Sequence, residues 1–319
     1  MNRRLVLAVL TALGALAAVP TALAQSRPVK LVVGYPPGGP VDLLARAIAP
    51  ALSAKLGQPV TIENKAGASG TIGMDTVIKG TPDGSTIGMG TPGGITSLPH
   101  LMKLPYDPDK IHYISLVARV PQVFVTNNEV KDATLADFIR SAKAAPKKYN
   151  YGSAGNATTT HLGAELLRQE TGIDIVHVAY KGATPAITAL MGNEVQLFPG
   201  DLSGVLTLIQ AGKLRALAIE TAQRIDVLPN VPTTAELGYP KIMVESAYGI
   251  IAPTGTPPAI SARLQQAVAE VVNLSDVKAQ IARQGAIPSA TTADEYRAMM
   301  QAESAKWAAV IKAGGIRLE

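Results

Sequence analysis

The sequence predicts an α/β fold of two lobes, on three observations. Short apolar runs alternate with helical segments along the chain, the pattern of strands covered by helices. Two glycine-rich stretches, at 35–46 and 151–167, stand between an apolar run and the helix after it, far apart in the chain. The C-terminal third is nearly all helix and needs a sheet from the N-terminal half to cover.

The elements follow in order. Residues 30–35 are a strand, and 41–56 an amphipathic helix in which Pro50 predicts a kink. A strand at 60–63, a helix at 70–79, a strand at 86–90 and a short helix near 95–102 come next. Two extended pieces, 115–118 and 123–126, flank Pro121. Thr134-Leu135-Ala136-Asp137 is a helix-capping pattern, opening a helix to about residue 144. Strands at 149–153, 175–180, 195–198 and 214–219 alternate with helices at 159–169, 186–191 and 205–211. Gly172 ends the first of these helices, and Thr184-Pro185 caps the second. A strand at 247–251 precedes helices at 259–273, 275–284 and 293–313. The chain is expected to cross into its second lobe near 121–125 and return near 245–250. That assigns 26–122 and 246–319 to lobe 1 and 123–245 to lobe 2, with a hinge and a cleft between them. Ligands of open α/β sheets bind at such carboxyl ends of strands.

Residues 1–25 read as a secretory signal. Arg3 and Arg4 form a basic start, 5–19 is apolar, and Ala22-Leu23-Ala24 fits a cleavage site near Ala24/Gln25. The apolar run is shorter than the ~20 residues that span a bilayer. The mature chain is therefore expected to be exported to the periplasm. Without Arg3 and Arg4, the 29 Lys+Arg fall to 27 against 24 Asp+Glu, a mild basic excess that suits anionic small molecules. Only three Phe, nine Tyr and one Trp are present, too few for a base-stacking platform, so no nucleic acid is expected. Cysteine is absent, which excludes thiol nucleophiles, iron–sulfur clusters and cysteine-ligated zinc. His100, His112, His161 and His177 are scattered, without metal-ligand spacing. Walker A is missing, and no G-x-G-x-x-G follows the first strand, which argues against a dinucleotide site.

The stretch "YPPGGPVDLLAR" offers bare backbone at a helix mouth. Gly38 and Gly39 lack the Cβ that would keep a ligand off the main chain, Pro36 and Pro37 stiffen the turn, and Pro37 and Pro40 join the candidate ligand residues. The first amides of the helix have no partner within it and carry the positive end of its dipole, so they suit an anion. Asp42 suits the same dipole or caps the helix. The stretch "YGSAGNATTTHLGAELL" repeats this layout with Ser153, Ala154, Gly155, Asn156, Thr158 and Thr159. His161 sits in the first helical turn, where it reads as a structural hydrogen-bonding group ahead of a carboxylate donor. In "VAYKGATPAITALMGNEVQLFPGDLSG", Tyr180 ends one strand, and Pro199, Gly200 and Asp201 end the next. A serine hydrolase pairing Ser153 with His161 is the competing reading, although Tyr151 breaks the G-x-S-x-G pattern such an enzyme uses.

Taken together, these stretches resemble the Bug-type extracytoplasmic solute receptors of tripartite tricarboxylate transporters. "ENKAGASGTIG", "TPDGSTIGMG", "LPYDP", "AYKGATPAITALMGNEVQL", "IQAGKLRALAI", "LPNVPTTAELGYP" and "APTGTPP" occur in that family's order across nearly the whole mature chain. The resemblance implies a type II periplasmic binding protein, the "Venus flytrap" of two α/β lobes joined by two hinge crossings. It implies a monomer without catalysis or cofactor that delivers a small carboxylate to membrane transporter subunits, or feeds a sensor kinase. It also implies that Tyr35–Asp42 and Ser153–His161 hold the carboxylate by main-chain N–H groups, with Thr91, Tyr180 and Asp201 beside them. Two departures stand out. Tyr248 takes a position that is often Trp, and Pro199-Gly200-Asp201 replaces a Phe-Asp-Asn common in the family. An ionised Asp201 would repel a second carboxylate; it would otherwise receive an amine or hydroxyl, or stay neutral.

Overall fold

The computed structural model describes residues 27–318; the expected signal segment and its cleavage point near Ala24/Gln25 lie outside them. The strands are β1 (Val29–Val33), β2 (Val60–Asn64), β3 (Thr86–Gly90), β4 (His112–Asn127), β5 (Asn150–Ser153), β6 (Val176–Ala179), β7 (Phe198–Asp201), β8 (Leu214–Ile219), β9 (Glu245–Ala252) and β10 (Ile287–Pro288). The α-helices are α1 (Pro40–Leu56), α2 (Thr71–Ile78), α3 (Leu135–Ala144), α4 (Thr159–Thr171), α5 (Ala183–Met191), α6 (Leu202–Gln210), α7 (Pro258–Asn273), α8 (Ser275–Arg283) and α9 (Ala293–Gly314).

One sheet runs β10-β4-β9-β3-β1-β2. β1 pairs in parallel with β2 and β3, with α1 and α2 as the crossovers, so Leu31, Val32 and Val33 are buried. β4 is the long member, and it changes partners partway. Its first part pairs antiparallel with β9 as far as Pro121↔Glu245, and its remainder pairs with β7 and β8 from Gln122 onward. The two extended pieces read from the sequence are therefore one strand. Proline has no N–H to give a ladder, and Pro121 falls where β4 leaves β9. β7 begins three residues later than the apolar run at 195–198 suggested, because Pro199 and Gly200 pair with Phe124 and Val123. β5 and β6 form a separate parallel pair.

α1 continues through Pro50 and ends at Gly57, whose φ of 63° suits glycine. α9 spans both halves of the molecule. Tyr296 and Met300 near its start join the core beneath β3 and β9, whereas Trp307 and Ile311 join the core of α3, α4 and β8. Pro40 of α1 also lies against Gly204 of α6, where a Cβ would stand 3.0 Å from the proline ring. The two halves are thus packed together, and no helix among the described residues is long and apolar enough to cross a membrane.

Candidate functional site

Both glycine-rich helix mouths open on one cavity of about 30 Å³. Tyr35, Gly39, Pro40 and Val41 line it from the first mouth, and Ala154, Thr158, Thr159 and Thr160 from the second. Thr91, Pro92 and Gly93 reach it after β3, while Ala183, Thr184, Asp201 and Tyr248 close the remaining wall.

The first mouth is held by Asp42. Its Oδ2 accepts the Gly38 N–H at 2.9 Å and Arg46 Nε at 2.7 Å, and its Oδ1 accepts Asn64 Nδ2 at 3.0 Å. Asn64 also donates to the Tyr35 carbonyl at 3.0 Å. Burial alone would raise the Asp42 carboxyl, but the bonds from Arg46, Gly38 and Asn64 outweigh it and hold it below the usual range. Asp42 therefore shapes the loop with its side chain. Among the described residues, no acceptor takes the amides of Gly39, Val41 or Asp42, as for the first donors of any helix, and Gly39 and Val41 line the cavity.

The second mouth is set in the same way. Thr158 caps α4, and its backbone donates to the Gly155 carbonyl at 3.2 Å. His161 accepts the Ala157 N–H on Nδ1 at 3.0 Å. Burial, with Arg168 adding to it, lowers the ring's pKa to about 4, so His161 is neutral at ordinary pH and works as a cap. The amides of Thr159 and Thr160 have no acceptor among the described residues. Thr91 adds a buried hydroxyl that also lacks a partner there.

Asp201 lines the wall with its carboxyl already engaged by three donors. Its Oδ1 accepts Ser246 Oγ at 2.7 Å and Gln122 Nε2 at 3.2 Å, and its Oδ2 accepts the Tyr248 hydroxyl. Thr159 Oγ1 lies 2.7 Å from Ser246 Oγ, linking this cluster to the second mouth. Burial raises the Asp201 carboxyl, against the three donors.

The other expected residues stand off the cavity. Ser153 Oγ is 2.7 Å from His177 Nε2 and donates to the Gly155 carbonyl at 3.1 Å, and it is fully buried. The Ser153–His161 pair of the hydrolase reading does not form, because His161 spends Nδ1 on Ala157 and stacks on His177 at 4.0 Å. Gly38 supplies a turn at φ 79°, and Pro37 accepts Thr184 Oγ1 at 3.5 Å. Tyr180 donates its N–H to the Ser153 carbonyl, Pro199 and Gly200 sit in β7, and Gly155 and Asn156 form the turn into Thr158. Sequence reasoning passed over Val41, Gly93, Thr160 and Thr184 as lining residues, along with the donors Gln122 and Ser246. The strand-to-helix step after β3, at Thr91-Pro92-Gly93, was the one local signal for a third loop.

The seam beside the cavity is close. Ser97 Oγ donates to the Ala157 carbonyl, and Tyr35 donates its hydroxyl to the Ser69 carbonyl at 2.9 Å. A Cβ at Gly155 would stand 2.6 Å from Ser69 Oγ, and one at Gly182 would stand 2.7 Å from Pro36.

Residues 44–316 match the model of the tripartite tricarboxylate transporter family receptor. BugT of Bordetella pertussis is 35% identical over 300 residues, covering 92% of this chain and 91% of that protein. A Rhodopseudomonas palustris protein solved with adipate superposes at a TM-score of 0.89 with 34% identity, over 92% of this chain and 98% of the other. MatC from Rhodopseudomonas palustris, solved with bound malate, superposes at 0.86 with 30% identity, over 90% of this chain and 99% of the other. The two α/β lobes are those of a periplasmic solute-binding protein. This is a family of receptors rather than enzymes. The chain belongs to the tripartite tricarboxylate transporter family receptors.

Proposed function

We propose that this receptor captures a small organic carboxylate in the periplasm and delivers it to the membrane subunits of a tripartite tricarboxylate-type transporter. One observation carries the reading: among the described residues, two helix mouths leave main-chain amides without an acceptor around a single cavity whose lining holds no Lys, Arg or His. Such donors fit a carboxylate, whose oxygens each accept several hydrogen bonds, and the helix dipoles add to them. The relatives solved with adipate and malate support the same chemistry.

In this reading, the amides of Gly39, Val41 and Asp42 face those of Thr159 and Thr160, with the Thr91 hydroxyl between them. Tyr35, Pro40, Ala154 and Thr158 form the walls. Residues 26–122 with 246–319 are one lobe and 123–245 the other, moving about β4 and β9. A cavity of about 30 Å³ holds two or three water-sized groups, at roughly 10–15 Å³ each. That is room for a carboxylate head, so the lobes part to admit a ligand and close on it, and closure selects the liganded state.

Titration calorimetry against adipate, malate, monocarboxylates, aromatic acids and amino acids tests this. Saturable binding of at least one carboxylate is expected, and heat from none of them would refute the reading.

A further inference from the structure

Three buried oxygens lack a donor among the described residues: Oε1 and Oε2 of Glu220, and Oε1 of Gln122. They gather over Gly163 of α4. A Cβ there would stand 2.8 Å from Glu220 Oε2, 2.9 Å from Gln122 Oε1 and 3.4 Å from Glu220 Oε1. Glu220 is fully buried directly after β8, and its backbone ties the two crossings together. Its N–H donates to the Gln122 carbonyl at 2.8 Å, and its carbonyl accepts the Val244 N–H at 3.0 Å. On its far side, Gln122 Nε2 donates to Asp201 Oδ1 at 3.2 Å. The amide thus stands between the hinge carboxyl and the carboxyl in the cavity wall.

An unpaired buried carboxylate is costly, and buried acceptors call for a donor. One proton on Glu220 answers both, removing the charge and supplying an O–H for Gln122 Oε1. Burial pushes this carboxyl well up, Asp201 adds to that, and Lys306 opposes it. The charged groups around it come from five elements. Asp201 lies on β7. Lys306 on α9 is engaged with Glu303 at 3.1 Å and the Met243 carbonyl at 3.2 Å. Glu245 on β9 pairs with Arg119 on β4 at 3.1 Å. His161 and Glu165 lie along α4, Glu165 paired with Arg168 at 2.7 Å.

We propose that Glu220 is a proton-carrying positioning residue: its neutral carboxyl holds the Gln122 amide toward Asp201, and the cleft takes up its anionic ligand together with that proton. This rests on the carboxylate reading above. A ligand carboxylate beside Asp201 makes losing the proton harder, so the bound protein keeps it to higher pH. Affinity then falls as pH rises, by up to about tenfold per pH unit for one proton.

The test compares wild type with Glu220→Gln, a neutral isostere, in two measurements. Unfolding midpoints are taken from acid to alkaline pH without ligand. Adipate and malate are titrated by calorimetry in buffers of different ionisation enthalpy. The folded wild type keeps a proton that the unfolded chain releases above the normal carboxyl range, so its midpoint should fall as pH rises; the slope should be shallower in the variant, where only the Asp201 carboxyl still contributes to it. Near the pH at which the unliganded wild type begins to lose this proton, its binding heats should depend on the buffer and show proton uptake, and those of the variant should not. A midpoint slope unchanged in Glu220→Gln, or buffer-independent wild-type heats at that pH, overturns the proposal. If no carboxylate of the panel above binds wild type at any pH, the carboxylate reading fails instead, and the midpoint slope alone decides whether Glu220 carries the proton. Should Glu220→Gln not fold, the infrared C=O stretch of a protonated carboxyl in neutral wild-type protein decides, and its absence overturns the proposal.

Discussion

Alanine at Gly93 should weaken ligand binding without touching the ligand. Gly93 lines the cavity just after β3, and its added Cβ would stand 3.2 Å from the Ala157 carbonyl oxygen and 3.4 Å from Thr158 Cα. Both atoms belong to the second mouth, where Ala157 also accepts the Ser97 hydroxyl and Thr158 caps α4. The clash is with backbone, so the loops must separate by a few tenths of an ångström where they close. Overpacking of this kind costs about 1–3 kcal/mol. It falls on the closed arrangement, which is the one that grips the ligand, so the dissociation constant should rise by roughly 5- to 150-fold. Calorimetry with whichever carboxylate binds wild type most tightly measures this. An affinity equal to wild type in folded Gly93→Ala would refute the idea that closure across Ala157 and Thr158 supports binding.

Two further outcomes are expected. Asp42→Asn should destabilise the protein by about 1–3 kcal/mol at neutral pH, chiefly through the Gly38 and Asn64 bonds, since Arg46 is half exposed. Because the Asp42 carboxyl is held low in the folded state, its contribution is present above the unfolded value of about 3.9 and is lost as pH falls through the folded one. Urea unfolding should therefore show the gap between variant and wild type closing in acid, and a gap that widens there would contradict this account. Ser153→Ala should cost about 1–2 kcal/mol by removing the His177 bond while leaving ligand affinity unchanged. A large affinity loss would place the hydroxyl in the site after all.

The two helix mouths were legible because strand, glycines and helix follow one another within a dozen residues, and no distant partner is needed to see the bare backbone. The cap at Thr158 was readable for the same reason. What surrounds Asp201 was not. Its donors Gln122, Ser246 and Tyr248 are 79, 45 and 47 residues away, and only the meeting of β4, β7 and β9 brings them together. Ser153 turned toward His177 through the parallel pairing of β5 with β6, which no local pattern signals. Pro121 reads as a strand breaker in isolation. In the fold it marks the point where β4 passes from one sheet partner to the next.

A crystal structure with adipate would show whether main-chain amides hold the ligand. One carboxylate is expected in the cavity, its oxygens accepting main-chain N–H groups of Gly39, Val41 or Asp42 and of Thr159 or Thr160, at hydrogen-bond distances of about 2.7–3.2 Å. A carboxylate held by lysine or arginine side chains, or seated away from both helix starts, would contradict it.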